Sequence, residues 1–249
     1  MSGASGTRGA GRGEGGMLMQ RVVAITGGFG TLGRTVGRVF AENGWKVALI
    51  DKALEPENAS AEQLHASWWR GGVELTDLDA ARSALSAVVE QLGKLDAIVN
   101  VAGGFRWETL ADGSLDTWDL MYRTNVRTAA TASKAALDHI ADSAEGGRII
   151  NIGAGAALKA GAGMGAYAAS KSGVMRLTEA LAEELKGRSI TVNAILPGII
   201  DTPQNRKDMP DADFSRWVRP EEIAEVILFL ASGAASGVTG ALIPVTGRT

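Results

Sequence analysis

A doubly wound α/β fold is the architecture this sequence predicts, and three observations predict it. Strand and helix patterns alternate from Gln20 to the end of the chain. The strand segments are continuous apolar runs, the pattern of a parallel sheet covered on both faces. The first strand runs into glycines and then into a helical pattern, where ligands of such sheets bind. Neither a linker nor an internal repeat breaks the alternation, so residues 18–249 are expected to form a single domain.

The elements follow in order. "RVVAIT", from Arg21, is a short β-branched run ending in glycines and reads as a buried strand. "TLGRTVGRVFAENG" has helical spacing and a stop at Gly44, and "KVALID" is the second strand. Residues 57–69 read as a weak helix closed by Gly71 and Gly72, with Trp68 and Trp69 packing it or an oligomer contact. "VELT", Val73 to Thr76, is the expected third strand, before a helix from Leu78 to Leu92 stopped by Gly93. "LDAIVNVAGG" is a fourth strand running into glycines. Residues 114–142 form one or two helices, with Ser114 placed to cap the first. "GRIINIG" is the fifth strand, residues 165–187 a long helix, and "SITVNAIL" the sixth strand, broken at Pro197–Gly198. Residues 220–232 are helical, with Pro220 in the first turn and Glu221–Glu222 at the positive helix end. "GALIPV" is the last strand, and Pro244 puts it at an edge.

Composition narrows the function. Of 249 residues, 45% are hydrophobic and 21% charged, enough to bury a core. A net charge of −3 gives no electrostatic case for nucleic acid or an anionic membrane. There is no cysteine, which excludes disulfides, thiolate metal sites and a Cys nucleophile, and favours a reducing compartment such as the cytoplasm. His65 and His139 are far apart and read as ordinary helix residues, so no metal site is expected. No apolar segment reaches the length that crosses a bilayer. The opening "MSGASGTRGAGRGEGG" lacks the apolar core of a secretory signal, and residues 1–17 are expected to be a disordered extension.

The first chemistry-bearing segment is "TGGFGTLGR", Thr26 to Arg34, between the first strand and helix. Glycines there let the backbone approach a pyrophosphate, whose charge a helix N-terminus favours. Glycines also make any tight turn, so the loop alone is weak. Asp51 strengthens it: it ends the next strand 18 residues after Gly33, near the ~20 expected of the carboxylate that binds an adenosine ribose. A carboxylate accepts from a free 2′-OH and repels a 2′-phosphate, which favours NAD(H). Lys52 and Arg34 stand nearby and keep NADP(H) open.

The second is Tyr167 with Lys171, four apart on a helix and so on one face. An ammonium beside a phenol is expected to lower its pKa, making Tyr167 a proton donor to a group receiving hydride. Taken alone, an interfacial tyrosine and a surface lysine are common. A nucleotide loop upstream, in a chain with only two tyrosines, favours chemistry.

"TGGFGTLG", "NVAGG" (Asn100–Gly104), Asn125, "YAASK" and "LPGIIDTP" (Leu196–Pro203) occur in the order found in the short-chain dehydrogenase/reductase family, which residues 20–247 resemble. The resemblance implies a Rossmann sheet of about seven strands in the order 3-2-1-4-5-6-7. It implies catalysis by Tyr167, Lys171 and Asn125, the last in a proton relay through the lysine. It implies cofactor contacts from Gly27, Phe29, Gly30, Thr31 and Leu32, from Asp51, from Asn100, Ala102 and Gly103, and from Tyr167 and Lys171. Pro197, Ile199 and Thr202 would close over the nicotinamide. A small-molecule substrate and a homotetramer or homodimer are implied as well. Glu74 stands where the family often has an aspartate near the adenine, and is left unassigned.

Two departures matter. Thr31 replaces a glycine of the family's loop, with Gly30 beside it to soften the change. Family members usually carry a serine thirteen residues before the tyrosine, where it hydrogen-bonds the substrate carbonyl; here that residue is Ala154, and no neighbour supplies a hydroxyl. Losing such a donor costs ~10²–10³ in rate where the transition state carries oxyanion character. One branch, the dihydropteridine reductases, keeps the Tyr–Lys pair and has Ala at this position. The chain resembles that branch in "GGFGTLG", "VAGGF", "GAGAALKAGAGMGAY" and "DTPQNRKDMPDADFSRW" (Asp201–Trp217). A quinonoid pterin spreads acceptor charge over nitrogens, so Tyr167 alone could serve as the acid. Phe105, Trp107 and Trp217 are then the aromatic side chains expected beside a flat substrate, with Ala154 as a further substrate-site residue. Phe105 and Trp107 read equally well as loop packing. A general ketone or alcohol reductase of 3-oxoacyl type is the second reading, and a nucleotide-binding regulator without catalysis the third. Arg206 and Lys207 read as solvated surface.

Overall fold

The computed structural model describes residues 20–140 and 146–248. The extension expected over residues 1–17 lies outside them. The strands are β1 (Val22–Thr26), β2 (Lys46–Ile50), β3 (Trp68–Arg70), β4 (Ala97–Asn100), β5 (Gly147–Ile152), β6 (Ile190–Pro197) and β7 (Leu242–Val245). The helices are α1 (Thr31–Glu42), α2 (Ala61–Leu64), α3 (Leu78–Leu92), α4 (Leu115–Met121), α5 (Thr128–Ala136), α6 (Gly165–Leu185), α7 (Pro203–Asp208) and α8 (Pro220–Ala231). All strand pairs are parallel, in the order β3-β2-β1-β4-β5-β6-β7. The order reverses between β1 and β4, and the cleft at their carboxyl ends is where such sheets take ligands.

The apolar runs feed two cores at once. Successive residues of a strand point to opposite faces. Val23 and Ile25 therefore pack with Val36 and Phe40 of α1 and Ile223, Ile227 and Leu230 of α8. Val22 and Ala24 pack with Ala84 and Leu85 of α3, Ala132 of α5 and Ala182 of α6. β7 is an edge strand, with Pro244 paired to Leu196 of β6.

Three expectations need correction. The third strand is Trp68–Arg70, not Val73–Thr76. Gly71 forces the change: a Cβ there would lie 2.5 Å from the Glu55 nitrogen, so the strand ends where the chain crosses residues 53–55. Trp68 and Trp69 belong to this strand and pack against opposite cores, Trp69 against the one that holds Leu64 of α2. The helix expected over residues 57–69 shrinks to Ala61–Leu64, opened by a Ser60–Gln63 capping box and closed by His65 at φ 48°. Residues 114–136 form a continuous helical rod, but its middle, Tyr122–Arg127, widens into a π-helical turn. Ser114 caps the rod as expected, accepting from the Asp116 N–H at 3.1 Å. α7 was not anticipated, although Thr202 caps it (3.1 Å to the Asn205 N–H) and Pro203 opens it, both recognisable helix-start signals.

Candidate active site

The cleft opens where β1 turns into α1. Gly27 has φ +65°, and a Cβ on it would sit 2.8 Å from the Ala102 nitrogen at the end of β4. A Cβ on Gly33 would overlap the Gly27 carbonyl oxygen. The loop thus brings backbone against backbone with no room for side chains. Gly30 is the N-cap of α1 and supplies no side-chain acceptor, so the first N–H groups of the helix keep their donor capacity facing outwards. Thr31 begins α1 as an ordinary exposed helical residue, and a glycine is not required there.

Asp51 sits just beyond β2. Its Oδ2 accepts from the Phe29 N–H at 2.9 Å and its Oδ1 from the Ala53 N–H at 2.9 Å. Each oxygen keeps a lone pair for a ligand, and the carboxylate is fixed against the glycine loop. A cavity of about 350 Å³ runs past Gly27, Gly30, Leu32, Asp51, Ala102 and Gly103. Lys52, Val73, Glu74, Leu75, Thr124 and Thr128 also line it; of these, sequence reasoning noticed only Lys52 and Glu74. Val73 to Leu75 come from the segment misread as a strand.

The cavity leads to a buried polar cluster. Lys171, 6% exposed on α6, donates from Nζ to the Ile152 carbonyl at 2.8 Å. Asn125, 1% exposed, lies in the π turn. Its Oδ1 accepts from the Gly104 N–H at 2.9 Å, and its Nδ2 donates to the Gly104 carbonyl (3.1 Å) and the Ser170 hydroxyl (2.9 Å). Ser170 in turn donates to the Tyr167 carbonyl at 2.7 Å, tying the first turn of α6 to Asn125. Ser170 was missed in the sequence, though it lies three residues after Tyr167 on the same helix face. Gly103 separates the two side chains: a Cβ there would lie 2.7 Å from Asn125 Oδ1 and 3.3 Å from Lys171 Nζ.

Tyr167 is half-buried, with its ring edge-on to Phe105 at 4.9 Å and 83°. Burial pushes its phenol up to about 12 and the Lys171 ammonium down to about 8. The phenol therefore moves opposite to the expected direction, because desolvation decides it, while Lys171 Nζ is held on the Ile152 carbonyl of β5. At neutral pH the hydroxyl carries its proton.

Ala154, 6% exposed, precedes a short 3-10 turn (Gly155–Ala157) between β5 and α6. Phe105 and Trp107 are 50% and 61% exposed. Trp107 donates from Nε1 to the Ala162 carbonyl at 3.0 Å, linking the loop after β4 to the segment before Tyr167. Trp217 differs: it is 4% exposed and packed on Phe214 at 4.7 Å, which leaves almost no ring surface for a substrate. Asn100 is also turned away from the cavity. Its amide donates to Ser133 Oγ (2.9 Å) and Asn151 Oδ1 (2.8 Å), bracing β4 against α5 and β5. Pro197 ends β6, Ile199 is 37% exposed, and the Thr202 hydroxyl caps α7 by accepting from the Asn205 N–H.

Comparison with known proteins gives a concordant picture. The family model described as short chain dehydrogenase matches residues 21–213. A 3-oxoacyl-[acyl-carrier-protein] reductase FabG of Thermotoga maritima is 32% identical, over 92% of this chain and 98% of its own. A trans-4-hydroxycyclohexanecarboxylate dehydrogenase of Sinomonas cyclohexanicum is also 32% identical, over 92% and 93%. Among solved structures, carveol dehydrogenase from Mycobacterium avium in complex with NAD superposes with a TM-score of 0.80 at 29% identity, over 92% of this chain and 97% of that one. With its sheet order, its glycine-cradled cleft and its Tyr167–Lys171 helix, the chain belongs to the short-chain dehydrogenase family of oxidoreductases.

Proposed function

We propose that this oxidoreductase uses NADH to reduce a flat, conjugated acceptor, of which a quinonoid dihydropterin is the leading case, with Tyr167 as the proton donor. The observation that carries the reading is Ala154. The position expected to polarise a carbonyl offers only a methyl group, while the half-exposed rings of Phe105 and Trp107 stand against Tyr167 and the segment before it. A conjugated C=N acceptor spreads its developing charge over nitrogens and does not need that donor.

The residues fit a nicotinamide dinucleotide. The N–H groups of α1 and the side-chain-free loop at Gly27 and Gly33 suit a pyrophosphate. Asp51 suits a ribose diol, and its fixed carboxylate supports NAD(H) over NADP(H). Gly103, Lys171 and Tyr167 would face the reactive end. When bound, the nicotinamide supplies the hydride. Tyr167 holds a proton on Oη through neutral pH and delivers it to the acceptor atom. The Lys171 ammonium, anchored on the Ile152 carbonyl, stabilises the phenolate left behind. Asn125 fixes Gly104 and Ser170, and through them the loop and the helix that carry these groups. Phe105 keeps the Tyr167 ring in place and, with Trp107, gives a flat substrate a surface to lie on.

The second reading, reduction of a 3-oxoacyl-type ketone, is supported by the activity that gives the Thermotoga relative its name. One experiment separates the two: NADH oxidation with quinonoid dihydropterin and with β-keto esters, by the wild-type protein and by Ala154→Ser. On the first reading, wild type turns over the pterin and is slow on the ketone. Ala154→Ser then speeds the ketone ~10-fold or more and leaves the pterin rate unchanged. Fast wild-type turnover of the ketone, with none of the pterin, would establish the second reading instead.

A homotetramer or homodimer is also proposed. The exposed apolar side chains Leu115, Trp118, Leu120 and Tyr122 cluster on and beside α4, and Phe229 projects from α8. Among the described residues, no helix is long and apolar enough to cross a membrane. The lack of cysteine supports a reducing compartment, the cytoplasm.

A further inference from the structure

We propose that Glu74 sets the dinucleotide preference of this site by holding Lys52 away from the position of a 2′-phosphate. The inference rests on the nicotinamide-cofactor reading above and assigns a specificity role to a residue that the sequence left open.

Asp51 alone leaves the preference unsettled, because the next residue is a lysine. Lys52 and Glu74 both line the cleft beside Asp51. The tips that carry them are joined by backbone hydrogen bonds, Asp51 N–H to the Arg70 carbonyl (3.1 Å) and Val73 N–H to the Asp51 carbonyl (2.9 Å). Lys52 Nζ lies 2.6 Å from Glu74 Oε2. A free lysine here would be the natural partner of a 2′-phosphate and would offset the repulsion from Asp51. With its ammonium on Glu74, that cation is already neutralised.

The two oxygens of Glu74 divide the work. Oε1 accepts from the Thr76 N–H (3.1 Å) and the Thr76 hydroxyl (2.8 Å), which leaves Oε2 for Lys52. An exposed lysine with a mobile partner would exchange readily between partners, since exposed ion pairs are weak. This partner is not mobile: Thr76 holds the carboxylate in one orientation. The same bonds, with Lys52 first, hold the Glu74 carboxyl down at about 2, so it stays ionised and able to hold Lys52 through the neutral range.

The division of labour also supplies a clean variant. In Glu74→Gln the amide oxygen can still accept from Thr76, while the amide nitrogen faces Lys52 and offers it no acceptor. The loop is kept and the lysine is freed. Binding of NADH and of NADPH is measured by nicotinamide fluorescence for wild type, Glu74→Gln, Lys52→Ala and the double variant, at fixed ionic strength. Glu74→Gln is expected to tighten NADPH about 10-fold and to change NADH less than two-fold. Lys52→Ala in the wild-type background should leave NADPH within two-fold, because the lysine is already neutralised. In the double variant the gain should vanish. A NADPH/NADH ratio unmoved by Glu74→Gln overturns the inference, as does a gain that survives removal of Lys52. Failure of wild type to bind either dinucleotide overturns the cofactor reading itself, and this inference with it.

Discussion

Replacing Tyr167 with Phe is expected to lower kcat by about 10³-fold while leaving the Kd for NADH within about two-fold. The substitution removes only the hydroxyl. The ring stays edge-on to Phe105 at 4.9 Å, and the Ser170 bond to the residue-167 carbonyl is untouched, so the helix and loop keep their places. No other group takes over. Ala154 offers no hydroxyl, Ser170 is spent on Asn125 and the Tyr167 carbonyl, and Trp107 Nε1 is spent on Ala162. Tyr122, the other tyrosine of the chain, is 58% exposed on the π turn. The pH profile gives an independent check. With the phenol pushed up to about 12, the proton needed for reduction is present throughout the neutral range. The reductive rate of the wild type should therefore show no Tyr167 limb below about pH 10. A Phe variant that keeps more than a tenth of wild-type kcat would remove Tyr167 from the chemistry.

The fold was legible because the sheet is parallel and covered twice. Val22–Thr26, Gly147–Ile152 and Ile190–Pro197 are buried on both faces and stand out of the sequence as apolar, β-branched segments with few polar interruptions. β3 was not legible. It is three residues long, and its position depends on how closely Gly71 meets the backbone of residues 53–55. The same error hid Val73 and Leu75 as cavity walls and left Glu74 without a role, since a segment read as strand interior was not searched for a site. Tyr167 and Lys171 were found by their i,i+4 spacing. What spacing could not give was the lysine's anchor, the Ile152 carbonyl, because backbone acceptors leave no mark in a sequence. Burial, which spacing does not show either, reversed the expected direction of the tyrosine's shift. Trp217 shows the converse: its aromatic character drew notice, and only its packing on Phe214 revealed a core role.

Lys171→Met should be much less active and, at neutral pH, more stable than the wild type. The sign follows from burial. Folding lowers the lysine from its ordinary 10.5 to about 8, so between those values the unfolded chain binds the extra proton. Stability on account of this group therefore rises as pH goes from about 8 to 10.5, and below 8 the buried charge costs about 3 kcal/mol. Tyr167 acts in the other direction, since its raised pKa means stability is lost as pH climbs from 10 to about 12. Methionine keeps the length of the stem and drops the charge. It also leaves the Ile152 carbonyl without its 2.8 Å donor, at a cost of ~1–2 kcal/mol. The net gain at pH 7 is therefore ~1 kcal/mol, and it should disappear, then reverse, by about pH 10. Urea unfolding at the two pH values reads this directly, beside a kcat expected to fall ~10²-fold or more. A variant less stable than wild type at pH 7 would mean that the ammonium stabilises its surroundings, and the buried-charge argument would fail. A gain in stability with loss of turnover would instead mean that the charge is kept inside at a cost to folding. A group so held is kept for what it does in the reaction, because packing alone would favour the methionine.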